Sequence, residues 1–361
     1  MIQVTKTYLP PLEQYEGQLA RIWQSGQVTN GGALTKELTE SLRAYLEVPD
    51  LEIVANGTLA LQLAIKALDL HGEIITTPFS YVATLNAILW ENCEPVFVDV
   101  EDKTFCIDAS RIEAAITGRT SAILATHIYG YPCDVENIEQ ISRKHGLKVI
   151  YDAAHAFGVR LNGQSILRHG DVSTLSFHAT KLFHTTEGGA LVCKDKEVAG
   201  HVFLKKKFGH IGEDNYMEVG INANMSEIHA AMGLCVLPKV NEIIACRRTL
   251  SGYYDHNLKG LGLIRPQASK ELEYNYAYYP VVFPSHNSMM RARQALQDNG
   301  VFPRRYFHPS LNRLPYLRPE IQRPCPISES IASRVLCLPL YFGLKQSELE
   351  MICKVVAGGI T

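Results

Sequence analysis

The chain contains no Cys-x-x-Cys pair, and its nine cysteines are an odd number. That argues against a disulfide framework or a structural zinc site and fits a reducing compartment. Charge of one sign is also missing. Lys and Arg number 35 against 37 Asp and Glu, a formal net charge of −2. The one basic run, Lys205-Lys206-Lys207, is too short to expect nucleic-acid binding. Three lysines are ordinarily a solvated helix face. Here they precede Phe208-Gly209-His210, where they could instead assist binding of a diphosphate near a cleft. The opening residues lack a charged-then-apolar leader pattern, and no apolar run approaches a membrane span. The expectation is a soluble cytoplasmic protein with neither nucleic acid nor membrane as a partner. No repeat, low-complexity tract or helix-turn-helix pattern is apparent.

What is present is an α/β alternation. Strand-like runs at Glu73–Thr77, Pro95–Val100, Ser121–Thr126, Leu147–Asp152, Val172–Phe177 and Ala190–Cys193 alternate with helical patterns such as Val135–His145, where Ile138 and Ile141 face inward. This predicts a mostly parallel sheet covered on both faces. A long helix is expected from near Met225 toward Asn257, kinked or interrupted at Pro238. Further on, Tyr274–Phe283 reads as a strand and Ser288–Gln297 as a helix, and Pro303–Pro319 reads as a loop. A length of 361 residues exceeds one ordinary core. We expect a large domain over 1–240, including an N-terminal arm, and a small C-terminal domain over 241–361.

The segment Ser176-Phe177-His178-Ala179-Thr180-Lys181, followed by Glu187-Gly188-Gly189, places a lysine between two buried strands. Carboxyl ends of strands are where open α/β sheets bind ligands. A desolvated lysine there has a depressed pKa and can attack an aldehyde. A solvated loop lysine is the plain alternative. Upstream, Lys148-Val149-Ile150-Tyr151-Asp152 ends a strand in an acid, and Ala153-Ala154 would let a flat ring approach the backbone. Asp152 suits the anion that a pyridinium nitrogen needs, or else a helix N-cap. Earlier still, Asn56-Gly57-Thr58 opens a helix with Leu59, Leu63, Ala67 and Leu70 on one face, and glycine at a helix start suits a phosphate.

With these residues in this order, the chain resembles the DegT-type nucleotide-sugar aminotransferases, pyridoxal-phosphate enzymes of fold type I. The resemblance runs through Asn56-Gly57-Thr58, Thr77–Thr84, Pro95–Asp99, His127–Gly130 and Asp152–Ala156. It continues through Ser176–Lys181, Glu187–Gly189, Asn222–Glu227 and Leu338–Tyr341. It implies that Lys181 forms the Schiff base with the cofactor aldehyde, that Asp152 holds the pyridine nitrogen and that Tyr81 stacks on the ring. His155 would sit beside the ring hydroxyl, and Gly57, Thr58 and Ser176 would hold the phosphate. Asn224 would reach the phosphate of a neighbouring subunit, making a homodimer with shared active sites. Packing is the alternative for Tyr81, and a capping box with Glu227 the alternative for Asn224. Arg305 and His308, in an aromatic loop, are candidate substrate contacts.

The resemblance further implies L-glutamate as amino donor and a nucleotide-linked keto sugar as acceptor. It is similar most of all to relatives that make dTDP-4-amino-4,6-dideoxyglucose from dTDP-4-keto-6-deoxyglucose. Pro10–Glu13, Ser25–Gly32 and His178-Ala179-Thr180 point that way. A 3-aminotransferase or an enzyme for a uridine-linked sugar is the near alternative. Related sugar dehydratases carry histidine in place of the lysine, so Lys181 argues against that chemistry. A non-catalytic regulatory or binding homologue is opposed by Lys181, Asp152 and Ser176 all being present.

Overall fold

The computed structural model describes residues 1–360. Its central sheet has seven strands: β1 Leu51–Val54, β2 Glu73–Thr76, β3 Glu94–Phe97, β4 Thr120–Thr126, β5 Lys148–Asp152, β6 Val172–Ser176 and β7 Gly189–Cys193. Their order across the sheet is β1-β7-β6-β5-β4-β2-β3. Only β7 runs against its neighbours; every other pairing is parallel. The expected strands are all there. Their ends differ by one to three residues, the largest change being β3, which stops at Phe97.

Successive residues of one strand feed opposite cores, as the two-residue period of a strand requires. Ile74, Leu124, Ile150 and Leu191 pack with Ala60, Leu61, Leu63 and Ala64 of the helix Gly57–Ala67. Ile75, Ile123, Val149 and Val192 pack instead with Leu34, Leu38 and Leu42, which lie on the helix Ala33–Leu46, and with Ile138. Each fully buried aliphatic side chain contributes roughly 1.5–3 kcal/mol, so a sheet covered on both faces needs the continuous apolar runs seen in its strands. That first helix ends at Ala67, and Leu70 lies beyond it, after Asp69 with φ 51°. The helix Val135–His145 has the expected bounds, with Ile138 buried and Ile141 half-buried.

The expected long helix is two helices, Glu227–Val236 and Val240–Asn257, separated by a 3-10 turn over Leu237–Lys239 at Pro238. By length and composition this stretch could span a membrane, contrary to the sequence expectation. The turn at Pro238 interrupts it, and Ala230, Ala231, Val236, Val240 and Ile243 lie in the main core. Its cap also differs. Ser226, not Asn224, is the N-cap, and its hydroxyl accepts the His229 N–H. Glu227 is buried and serves another helix. Its Oε2 accepts the N–H of Leu34 at 2.7 Å and its Oε1 that of Thr35 at 3.0 Å, at the start of Ala33–Leu46.

A second core gathers Leu250, Tyr254, Tyr279, Val281, Met289, Leu296, Leu336, Leu338, Ile352 and Val356, together with Ile2. Here β8 (Tyr279–Val282) pairs antiparallel with β9 (Val335–Leu338). The strand expected over Tyr274–Phe283 is confined to β8. Residues before it are held by side chains instead, since Asn275 Nδ2 donates to the carbonyls of His155 (2.8 Å) and Phe157 (2.9 Å). The helix expected at Ser288–Gln297 spans His286–Asp298 and starts with a Ser285–Ser288 capping box.

Glu227 thus ties residues 193 positions apart. A Cβ on Gly32 would fall 2.5 Å from its Cδ, so the close approach requires glycine there. Glu227→Ala should strand two buried N–H groups and lower stability by about 2–4 kcal/mol, read from the urea midpoint. Glu227→Gln, which keeps one acceptor oxygen, should lose less. An unchanged midpoint in the alanine variant would remove this tie from the fold.

Candidate active site

The carboxyl ends of β1, β5 and β6 deliver Asn56, Asp152 and Ser176 to one edge of the sheet, and the β6–β7 connection carries Lys181. They border a cavity of about 710 Å³ lined by Gly57, Thr58, Tyr81, Asp152, His155, Ser176 and Lys181. Seven of the ten expected site residues are therefore gathered in one place. Asp152 is not a helix cap, since turns rather than helix follow it. Tyr81 is not core packing either, being 56% exposed at the start of the helix Val82–Trp90.

Asp152 is buried, and two donors orient it. Thr84 Oγ1 donates to Oδ2 at 2.7 Å, and the Ala154 N–H donates to Oδ1 at 3.1 Å. Behind Thr84, the Ser80 hydroxyl bonds those of Thr84 (2.8 Å) and Thr126 (3.0 Å). Burial raises the Asp152 pKa; Thr84, Ala154 and the charge of Lys181 oppose it. A cationic ring nitrogen in contact with this carboxylate would favour its ionised form. Lys181 is half-buried, its Nζ 3.4 Å from the Tyr278 hydroxyl. It is no solvated loop lysine.

His155 is buried, and its Nδ1 accepts the Tyr129 N–H at 3.2 Å. Its pKa is pushed well below the usual histidine value by burial and by the charge of Lys181. The ring is therefore neutral and carries its proton on Nε2, a donor free for a ring hydroxyl. Phe307 stacks on His155 at 5.5 Å, and Tyr278 meets it edge-on at 5.1 Å. At the start of the helix Gly57–Ala67, Asn56 takes the Leu59 N–H on its side chain and that of Ala60 on its carbonyl. Among the described residues, the N–H groups of Gly57 and Thr58 have no protein partner. A Cβ on Gly57 would lie 2.8 Å from the Ser176 Cβ, so this cradle tolerates only glycine.

Three expected residues lie elsewhere. Asn224 borders a separate cleft of about 210 Å³ beside Thr35, Glu52 and Lys206. Arg305 and His308 border a cleft of about 670 Å³ that shares Tyr81, Tyr306 and Phe307 with the main cavity. The lysine run is not a solvated face. Lys206 is buried against Glu52 at 2.6 Å, Lys205 pairs with Glu218 at 2.7 Å, and Lys207 lies over the Phe203 ring. Thr84, Tyr278 and Phe307 went unassigned in the sequence. Thr84 stands one helical turn after Tyr81, a spacing that could have suggested it.

The sequence profile described as the DegT/DnrJ/EryC1/StrS aminotransferase family matches residues 13–357. The chain belongs to this family. It is 42% identical to the dTDP-4-amino-4,6-dideoxy-D-glucose transaminase of Shigella dysenteriae, over 98% of both chains. To the transaminase of the same name from Escherichia coli it is 39% identical, over 99% of this chain and 98% of that one. The crystal structure of DesI in the presence of its TDP-sugar product superimposes with a TM-score of 0.95 at 30% identity, covering all of this chain and 93% of that one.

As a member of the DegT/DnrJ/EryC1/StrS family, the protein is a pyridoxal-phosphate-dependent sugar aminotransferase with a mostly parallel α/β fold of type I. Its own residues fit the cofactor. Lys181 faces the cavity, Asp152 has carboxylate lone pairs to spare for a ring nitrogen, and Gly57 leaves no side chain of its own against Ser176.

Burial lowers the Lys181 pKa from 10.5 to about 8, while Asp152 and Tyr81 pull it upward. The nucleophilic amine thus dominates above about pH 8. Capture of pyridoxal phosphate by the cofactor-free protein should accelerate about tenfold between pH 7 and 9, following the neutral fraction of Lys181. Asp152→Asn removes a negative neighbour, so the midpoint should move to lower pH. Stopped-flow absorbance reads both. A midpoint near 10 would mean that the amine is solvated.

Proposed function

We propose that the enzyme transfers an amino group from L-glutamate to C4 of dTDP-4-keto-6-deoxy-D-glucose, giving dTDP-4-amino-4,6-dideoxy-D-glucose. The observation that carries this reading is the full-length similarity to two transaminases of that name. It is supported by a cavity in which lysine, carboxylate and anion cradle all stand together. We place the reaction in the cytoplasm. In keeping with that, all nine cysteines are free, and eight of them are buried.

When bound, pyridoxal phosphate supplies an aldehyde and an electron-accepting ring. Asp152 would keep the ring nitrogen protonated. Gly57, Thr58 and Ser176 would hold the phosphate, Tyr81 would cover the ring, and the His155 Nε2–H would donate to its hydroxyl. Lys181 Nζ would take the proton from the Cα of glutamate in the first half-reaction and deliver a proton to C4 of the sugar in the second. Arg305 and His308 contact the substrate from the adjoining cleft. In this reading residues 1–240 form the cofactor domain and residues 241–361 the smaller one.

The same proposal makes the active form a homodimer in which Asn224 reaches the phosphate of the second subunit. Asn224 lies outside the Lys181 cavity of its own chain. Exposed Phe208, Ile211, Tyr216, Met217 and Val219 form an apolar surface suited to a second copy.

Purified enzyme, glutamate and a panel of 4-keto and 3-keto nucleotide sugars should yield a product aminated at C4 from the dTDP substrate, as read by NMR. Amination at C3, or preference for a UDP-linked sugar, would replace this assignment. Lys181→Ala should abolish turnover, and borohydride should fix the cofactor to the peptide holding Lys181. Label on another lysine would sink that role.

Asn224→Ala should impair the homodimer. Mixing it with Lys181→Ala should then restore up to about half the activity per hybrid, because one of the two sites collects an intact Lys181 and an intact Asn224. If Asn224→Ala stays fully active with normal cofactor affinity, the shared site loses its support.

A further inference from the structure

Just before β8, the chain takes a strained path to the wall of the Lys181 cavity. Tyr276 has φ 54°, in the left-handed region that a bulky side chain seldom takes. The groups that follow this kink are held on both sides. Asn275 Oδ1 accepts the Ala277 N–H at 3.1 Å. Arg247 Nη1 donates to the Ala277 carbonyl at 2.9 Å and to that of Tyr276 at 3.4 Å. The Tyr274 hydroxyl donates to the Tyr278 carbonyl at 3.4 Å. Backbone strain persists only where its surroundings over-determine it, and it gathers at functional sites.

Arg247 adds a second unfavourable feature. It lies on the helix Val240–Asn257 and is buried, and its Nε lacks any hydrogen-bond partner. Among the described residues it is paired with no carboxylate. Burial lowers its pKa from 12.5 to about 10, opposed by the neighbouring Tyr278 and Tyr274. A buried charge without a counter-charge is strongly disfavoured, and a neutral donor would serve the same carbonyls. Charge and strain converge on one residue, Tyr278. It is buried, and among the described residues its hydroxyl is the one protein group hydrogen-bonded to Lys181 Nζ, at 3.4 Å. Nζ also lies over the Tyr278 ring, 5.9 Å from its centre. That ring is fixed edge-on against His155 at 5.1 Å and against Tyr306 at 5.7 Å. Burial raises the phenol pKa, so the hydroxyl keeps its proton. The contact is longer than a strong hydrogen bond, as suits an amine that must leave it.

We propose that Tyr278 is the positioning residue of Lys181. Its hydroxyl receives the amine whenever that amine is not bonded to the cofactor, and Arg247 holds Tyr278 where this can happen. The inference rests on the proton-carrying role of Lys181 proposed above. A lysine stem is flexible, and an amine released into a cavity of about 710 Å³ would otherwise sample much of it. Held beside Tyr278, it returns to the reacting carbon from one fixed place. Misplacement by about an ångström costs a catalytic group about a hundredfold in rate.

The test follows capture of pyridoxal phosphate by the cofactor-free protein, and then the glutamate half-reaction of the holoenzyme. Tyr278→Phe keeps the ring and its packing and removes only the hydroxyl. A hydroxyl that accepts from the ammonium favours the charged form. Its loss should move the midpoint of capture about half a pH unit lower, with Asp152, Tyr81 and His155 still facing Lys181. The limiting rate above the midpoint should nonetheless fall about tenfold, because the amine is free but no longer held. Arg247→Met should show both changes, and Arg247→Lys, which can still donate to a carbonyl, should show smaller ones. The double variant of Arg247→Met and Tyr278→Phe should be no slower than the slower single variant, since both act through one hydroxyl. Glutamate deuterated at Cα should bleach the cofactor band with a larger isotope effect in Tyr278→Phe than in wild type.

An unchanged midpoint, limiting rate and isotope effect in Tyr278→Phe overturns the proposal and leaves Tyr278 as packing. Losses that multiply in the double variant overturn the part assigned to Arg247. So does a lower urea midpoint with unchanged capture in Arg247→Met, which would make Arg247 structural. Should Arg247→Met fail to fold, Arg247→Lys takes its place in the same comparison. Altered capture in Tyr278→Phe, alongside a wild-type enzyme that glutamate never bleaches, would support the positioning of Lys181 while sinking the amino-transfer reading.

Discussion

A carboxylate buried at the end of the central strand β5 is the constraint around which the site is arranged. Asp152 stands where water cannot stabilise its charge, and burial pushes its pKa up. The protein answers with one hydroxyl, one backbone amide and the ammonium of Lys181. Thr84 is fixed in turn by Ser80, and Ser80 by Thr126, so three separate elements hold one side chain. The same burial that disfavours the anion also disfavours the ammonium of Lys181, freeing its amine above about pH 8. One setting therefore shifts both the Asp152 carboxyl and the Lys181 amine.

Around this pair, the second core is drawn into the chemistry by a short irregular segment. Asn275 clamps the backbone beside His155, and its Oδ1 accepts the Ala277 N–H at 3.1 Å. That places Tyr278 next to Lys181 and against His155. Phe307 arrives from the loop before Pro309 and stacks on both His155 and Tyr129. A continuous strand through Tyr274–Phe283 would have paired these backbone groups with a neighbour. Their diversion to side-chain contacts explains why β8 begins only at Tyr279.

Some of the site could be read directly from the chain because its signals are local. Lys181 sits between two apolar runs, Asp152 ends one, and Gly57 starts a helix; each carries its meaning within a few residues. The remaining participants depend on contacts between distant positions. Thr84 reaches Asp152 across 68 residues, Tyr278 reaches Lys181 across 97, and Glu227 reaches Leu34 across 193. The spacing Asn224-x-x-Glu227 shows the hazard of local signals. It has the form of a capping box, yet Ser226 takes the cap because Glu227 is drawn to another helix. The lysine run misled in the same way, since Lys206 finds Glu52 only after β1 and the helix Lys196–Lys205 are packed together.

By itself, the sequence determined the alternation of strands and helices, the break at Pro238 and the identity of the lysine, acid and glycine that suit a pyridoxal cofactor. These follow from periodicity, from the ring of proline and from side-chain chemistry, all properties of short segments. Tertiary structure alone decided that Asp152 is buried and that Lys181 loses its proton near pH 8. It also decided that Tyr81, Tyr306 and Phe307 form a wall between the Lys181 cavity and a second cleft. Desolvation and the convergence of charges depend on what surrounds a group in space, and residues far apart in the chain supply those surroundings.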